Sequence, residues 1–276
     1  MWVLSWPVTE GSDHCEDSRR LVLVDAHAAT ARAIGTGVNV ADAGDADSFW
    51  TTTEVASVVS GTQYVVQRVQ RRKLSGGALG HPFELPPDRA LIKGLSPDLL
   101  LLFDNAAQRF ESWQPSARRV LGTYGRVLAA SKSVVAWVGL GCAYPCPVHL
   151  SPPTGGADRT VPVPRGAYAI QGSVSSDGKY VALTLGTGVA ADGATNQDTG
   201  VLIEVATRKM RVIPQTAIPV SEESGFLSLT WASRSWLLVT TPGPKATRQV
   251  AAYNPATGAF VVPRLARHVA EAILIW

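Results

Sequence analysis

Cysteine is scarce in this chain: three residues among 276, at positions 15, 142 and 146. So few cannot staple a small disulfide scaffold. Charge is thin as well. Charged residues make up 17%, the formal net charge is +3, and no basic stripe runs along the chain, so no nucleic-acid partner is expected. Histidine occurs five times and at no repeating position, which weighs against a histidine-built metal or catalytic centre. Long apolar runs are missing. Stretches such as Leu99–Phe103 are strand-sized, far short of the about 20 residues that span a bilayer, so no membrane insertion is expected within this chain. The opening Met1-Trp2-Val3-Leu4-Ser5-Trp6 lacks the basic start and apolar core of a secretory signal. A cytoplasmic location is expected, unless the natural start lies upstream. The chain has no G-x-S-x-G, H-E-x-x-H or G-x-x-x-x-G-K-[ST], and no G-x-G-x-x-G before a helix. No cofactor and no metal are expected. Helical periodicity is almost absent, yet 46% of residues are hydrophobic, enough for a substantial core.

What the chain does have is a recurring phrase, a polar turn followed at once by an apolar strand. Gly44-Asp45-Ala46-Asp47 precedes Phe49-Trp50-Thr51-Thr52, and Ser96-Pro97-Asp98 precedes Leu99–Phe103. Ser131-Lys132-Ser133 precedes Val134–Val138, Ser176-Asp177-Gly178-Lys179 precedes Tyr180–Leu183, and Ser233-Arg234-Ser235 precedes Trp236–Val239. With Trp2 counted first, the strand starts Phe49, Leu99, Val134, Tyr180 and Trp236 succeed one another at intervals of 35 to 56 residues. A four-stranded propeller blade occupies about 40–50. Each interval also holds a second hairpin, such as Val201–Val205 with Met210–Ile213, or Val250–Tyr253 with Phe260–Val262. The first strands fall at Gly37–Ala41, Ala90–Leu95, Arg126–Ala130, Tyr168–Val174 and Gly225–Trp231.

This pattern predicts an all-β fold: a six-bladed β-propeller of four-stranded antiparallel blades, residues 1–276 forming one domain. The chain opens on what should be a second strand, and one apolar segment, Val269–Trp276, is left over. Pairing of the N- and C-terminal strands then closes the ring and removes an exposed sheet edge. A helix over His268–Trp276 is the alternative. Ser176-Asp177-Gly178-Lys179-Tyr180-Val181-Ala182 resembles the repeat phrase of TolB-type and related WD-like β-propellers, with Ser96-Pro97-Asp98 and Trp231–Trp236 as looser copies. The resemblance implies a propeller and says little about chemistry, because such folds host unrelated functions.

Cys142-Ala143-Tyr144-Pro145-Cys146 lies between two strands. The pair reads as a disulfide, with free thiols or half a metal site as the other readings. A disulfide implies an oxidising, extracytoplasmic compartment. Asp13-His14-Cys15-Glu16-Asp17 reads as a solvated acidic loop, and Asp42, Asp45 and Asp47 as a turn rather than a calcium loop. Arg68, Arg71, Arg72 and Lys73 read as a solvated sheet edge, and Trp50, Trp137 and Trp236 as core.

In a four-stranded meander, the second-to-third connections and the links between blades open on one end. That end carries the long connections here: Pro7–Arg19, Glu54–Gln63, Gly141–Pro147, Gly186–Thr199, Gln215–Gly225 and Thr241–Arg248. Long loops on a rigid scaffold are where binding resides. The expected ligand-binding residues are Asp13, His14, Tyr144, Asp192, Asn196, Asp198, Glu222 and Glu223, none of them catalytic. The expected function is a non-enzymatic, monomeric binding or scaffold domain for a protein, peptide or glycan. A propeller hydrolase or lyase with an axial active site is the alternative.

Overall fold

The computed structural model describes residues 2–7, 19–25, 30–37, 39–45, 47–59, 62–142, 145–187, 197–219, 227–242 and 248–262. They contain strands and turns and no helix. Packing divides the chain into two compact units, Met1–Thr123 and Tyr124–Ile275.

Three antiparallel sheets build the first unit. β1 (Trp2–Pro7), β2 (Arg19–Asp25) and β3 (Thr30–Gly37) form a three-stranded sheet in chain order. β4 (Asn39–Asp42), β5 (Ser48–Val59), β6 (Thr62–Lys73) and β7 (Ala78–Glu84) form the next, and β8 (Arg89–Ser96), β9 (Leu99–Asp104), β10 (Arg109–Gln114) and β11 (Arg119–Tyr124) the third. The second unit repeats the plan. β12 (Arg126–Ala130), β13 (Val135–Val138), β14 (Val148–Ser151) and β15 (Arg159–Val161) pair in order. So do β16 (Ala167–Val174), β17 (Tyr180–Thr187), β18 (Gln197–Glu204) and β19 (Met210–Val212), with the short β20 (Ile218–Pro219) added to β18. β21 (Leu229–Trp231), β22 (Leu237–Pro242), β23 (Arg248–Tyr253) and β24 (Phe260–Val261) complete it.

Period-two alternation decides where each core lies. In β17, Val181, Leu183 and Leu185 join a cluster with Ala136, Val138 and Leu150 of the preceding sheet. Ala182 points the other way, into a cluster with Leu227, Leu237 and Tyr253. β18 divides likewise, Val201 and Ile203 on one face and Leu202 on the other. A strand covered on both faces reads as a continuous apolar run, and each such leucine or isoleucine adds about 1.5–3 kcal/mol on burial. In the first unit Trp50, Val69, Leu91, Leu100, Leu102 and Trp113 share one core. Phe83 lies with its ring centroid 5.8 Å from each of the two tryptophans.

The recurring turn phrase does the same job at four first-to-second strand connections, while Asp98 at the β8–β9 turn accepts instead from Ser116 and Gln114. The Ser175 hydroxyl accepts the Tyr180 amide at 3.0 Å and donates to Asp177 at 2.8 Å, while Asp177 accepts the Lys179 amide. Gly178 sits at φ +70°, which a side chain rarely tolerates. Ser131 accepts the Ser133 and Val134 amides, and Ser233 those of Ser235 and Trp236. Asp45 takes the Asp47 amide and the Ser48 hydroxyl. These are local side-chain turns that end one strand and start the next.

The structure corrects three sequence expectations. Residues 54–63 are no loop: β5 and β6 stay paired to Val59↔Thr62. Alternating β-branched residues carry the hairpin through, so this connection is short. β3 runs on to Gly37, and the next sheet starts at Asn39 rather than Gly37. Trp137 and Trp236 are half-buried rather than core. The segment Val269–Trp276 lies outside the described residues, as do the candidate ligand cluster at 13–17 and most of the other long connections.

Candidate binding site

Of the eight residues expected to bind ligand, Asp13, His14, Tyr144, Asp192, Asn196, Glu222 and Glu223 lie outside the described residues. Asp198 is described. It lies in β18, only 3% exposed, and its carboxylate accepts the Leu227 amide at 3.3 Å. Thr184 Oγ1 donates to the Leu227 carbonyl at 3.1 Å, so the pair clips this segment to the sheet.

A cavity of about 180 Å³ opens in the second unit, lined by Arg126, Val138, Gly139, Leu140, Gly141, Cys142, Cys146, Tyr168 and Ala169. It sits at the end of the sheets where β13 joins β14, between the starts of β12 and β16. Gly125 makes this arrangement fit: a Cβ there would run into the Val138 carbonyl oxygen. The next residue, Arg126, reaches across and donates to the Ala169 carbonyl. Tyr168 lies against Gly186, its cross-strand neighbour in β17. Cys142 and Cys146 are joined in a disulfide, their Cα atoms 5.8 Å apart, in agreement with the sequence expectation. Cys146 is buried and Leu140 stands 58% exposed at the rim. Among the described residues the lining holds one cation and no carboxylate.

Other polar clusters in the described residues serve structure. Arg89 pairs with Glu111 at 2.9 Å and Asp104 at 3.0 Å, and Arg109 with Glu111 at 3.1 Å. Glu111 is 1% exposed, and the two guanidinium groups satisfy its carboxyl oxygens there. Arg68 pairs with Glu84 and Arg71 with Asp45; both arginines lie on β6, between β5 and β7, and not at the sheet edge expected from the sequence. Asp42, Asp45 and Asp47 form a turn. On β14, His149 stacks on Trp137 with ring centroids 4.2 Å apart. Its Nδ1 lies 2.5 Å from Asp158 Oδ2, while Ser151 donates to Asp158 Oδ1 at 2.9 Å and accepts from Trp137 Nε1. Serine and histidine both turn to the carboxylate instead of to each other, which is not the arrangement of an activated nucleophile. Among the described residues no three His, Cys, Asp or Glu side chains gather as a metal site. Among them, too, no helix is long and apolar enough to cross a membrane.

No protein-family model matches the chain, and no curated protein matches it. Solved structures do. A prolyl endopeptidase matches at TM-score 0.59 and 13% identity, over 90% of this chain and 39% of that one. An oligogalacturonate lyase in complex with manganese matches at TM-score 0.55 and 13% identity, over 91% and 71%. The fold is that of a β-propeller. TolB from Acinetobacter baumannii is a further neighbour, at TM-score 0.49 and 13% identity over 89% of this chain and 60% of that one. Arg126 and Tyr168 stand at the starts of β12 and β16, the first strands of two successive sheets. Neither stands out in the sequence, because a lone arginine and a tyrosine inside strand runs carry no motif. Their one sequence signal is position: both open the first strand of a predicted repeat.

Proposed function

We propose that this chain is a binding propeller whose ligand surface lies at the end where second strands lead into third strands. The observation that carries this reading is the cavity between β12 and β16, at that same end. In this reading the connections holding Asp13, His14, Tyr144, Asp192, Asn196, Glu222 and Glu223 contribute to the same binding surface. The ligand is a protein, peptide or glycan, bound by a monomer. Six blades form one ring and one domain. Among the described residues the first sheet has three strands where the others have at least four, with β1 at one end of its order. The segment Val269–Trp276 supplies the missing strand.

Comparison of R126A/Y168A with the unchanged chain tests the site. Each is immobilised and the captured partner is identified and titrated back. The expected result is loss of at least tenfold in partner affinity with the melting temperature held within a few degrees. Undiminished binding overturns the assignment.

A second reading, a propeller enzyme, draws support from the lyase and endopeptidase among the similar structures. Its test is turnover of oligogalacturonate, with and without added manganese, and of prolyl peptides.

A further inference from the structure

We infer that the cavity beside the disulfide takes the free carboxylate end of a peptide whose last side chain is small and apolar. This rests on the reading of that end of the propeller as the binding surface, and it names the ligand class.

Charge points to an anion. Among the described residues of the lining, Arg126 is the single charged one and no carboxylate joins it. One of its nitrogens holds the Ala169 carbonyl, which fixes the guanidinium. Its Nε and other terminal nitrogen have no partner among the described residues. Arg89 and Arg109 differ, since Glu111 and Asp104 already answer their charge. A guanidinium held in place with donors to spare is suited to a planar carboxylate, which it binds through two parallel hydrogen bonds.

Size restricts the group attached to that carboxylate. An apolar cavity of about 150 Å³ accommodates benzene, so about 180 Å³ suits about six to eight non-hydrogen atoms. A terminal alanine or valine fits. The walls agree with an aliphatic end: Val138, Leu140 and the disulfide are apolar, and Leu140 stays 58% exposed with nothing described to cover it. Gly139 and Gly141 leave the peptide groups of the wall uncovered by side chains, the feature that backbone capture of a chain end uses.

The test titrates the full chain with three probes: N-acetyl-Ala-Val bearing a free carboxylate, the same dipeptide amidated at its C-terminus, and galacturonic acid. Calorimetry gives the affinities, and amide shifts of residues 138–141 and 168–169 locate the binding. The expected result is that the acid binds at least tenfold tighter than the amide, that R126Q removes this difference, and that R126K keeps part of it. A second expectation is that added salt weakens the acid and leaves the amide unchanged. Equal affinities for acid and amide overturn the carboxylate inference and leave the binding surface standing. Galacturonic acid binding as tightly as the free-acid dipeptide overturns the peptide end. No binding by any probe overturns the inference too. The broader reading fails separately, when R126A/Y168A still binds the captured partner at full strength.

Discussion

Asp45, Asp98 and Asp177 hold three of the turns that start second strands or brace them. Burial raises each carboxyl, but hydrogen bonds outweigh it. Asp45 accepts from Ser48, the Asp47 amide and Arg71; Asp98 from the Ser116 hydroxyl and amide and from Gln114; Asp177 from the Lys179 amide and Ser175. All three are held below the ordinary value of 3.8. A carboxylate lowered by folding favours the folded state above its unfolded pKa, and that contribution disappears as pH falls through the folded value. Stability to urea is therefore expected to drop below about pH 4, and D45N/D98N/D177N to show a flatter dependence there. A second residue-scale expectation concerns Gly125. G125A forces a Cβ against the Val138 carbonyl and should cost about 1–3 kcal/mol, whereas G77A, with nothing within 4 Å of its Cβ, should be near neutral. Urea titration of both variants checks this. The serine and aspartate turns were legible in the sequence because their chemistry is local. The Gly125 contact was not, because it depends on a strand brought alongside by folding.

At the level of elements, the β8–β10 ion cluster and the disulfide loop can each be removed alone. E111A leaves Arg89 and Arg109 facing each other without their shared carboxylate. Both arginines retain some water, so the loss is about 2 kcal/mol, less than for a fully buried pair. E111Q, which keeps the shape and part of the hydrogen bonding, should lose less. The disulfide closes a loop with a sequence separation of 4, so C142S/C146S should destabilise by about 2 kcal/mol on the loop-entropy estimate. Two fewer cysteines should be alkylated before reduction than after it. Strand positions in β8–β10 and β16–β19 could be read from alternation and turn residues, since both cues are short-range. The β5–β6 hairpin could not: the serines, glycine and threonine within Glu54–Gln63 read as a long connection. Their pairing partner lies across the hairpin, and the register between the two strands carries them to Val59↔Thr62. The cavity was illegible for the same reason, since Arg126, Leu140 and Tyr168 meet only when two sheets pack.

Over the whole molecule, repetition carried the reading furthest. Among the described residues, six sheets succeed one another in chain order, each folded from consecutive segments, and five contain four or more strands. A sheet left one strand short would present an unpaired edge that invites association between molecules. The proposed closure gives β1 a partner from the C-terminal segment and accounts for why an apolar strand-length stretch comes after the last hairpin. Ring closure is also what would bring the long connections around one shared mouth, so the binding proposal depends on it. Residue-by-residue hydrogen exchange along β1 in the full chain tests this most directly. In an edge strand bonded only to β2, every second amide from Val3 to Trp6 points to solvent. Slow exchange at all of them, lost at alternate positions when the chain is cut after residue 262, is the result expected of a closed ring. Fast exchange at alternate amides in the uncut chain would contradict it.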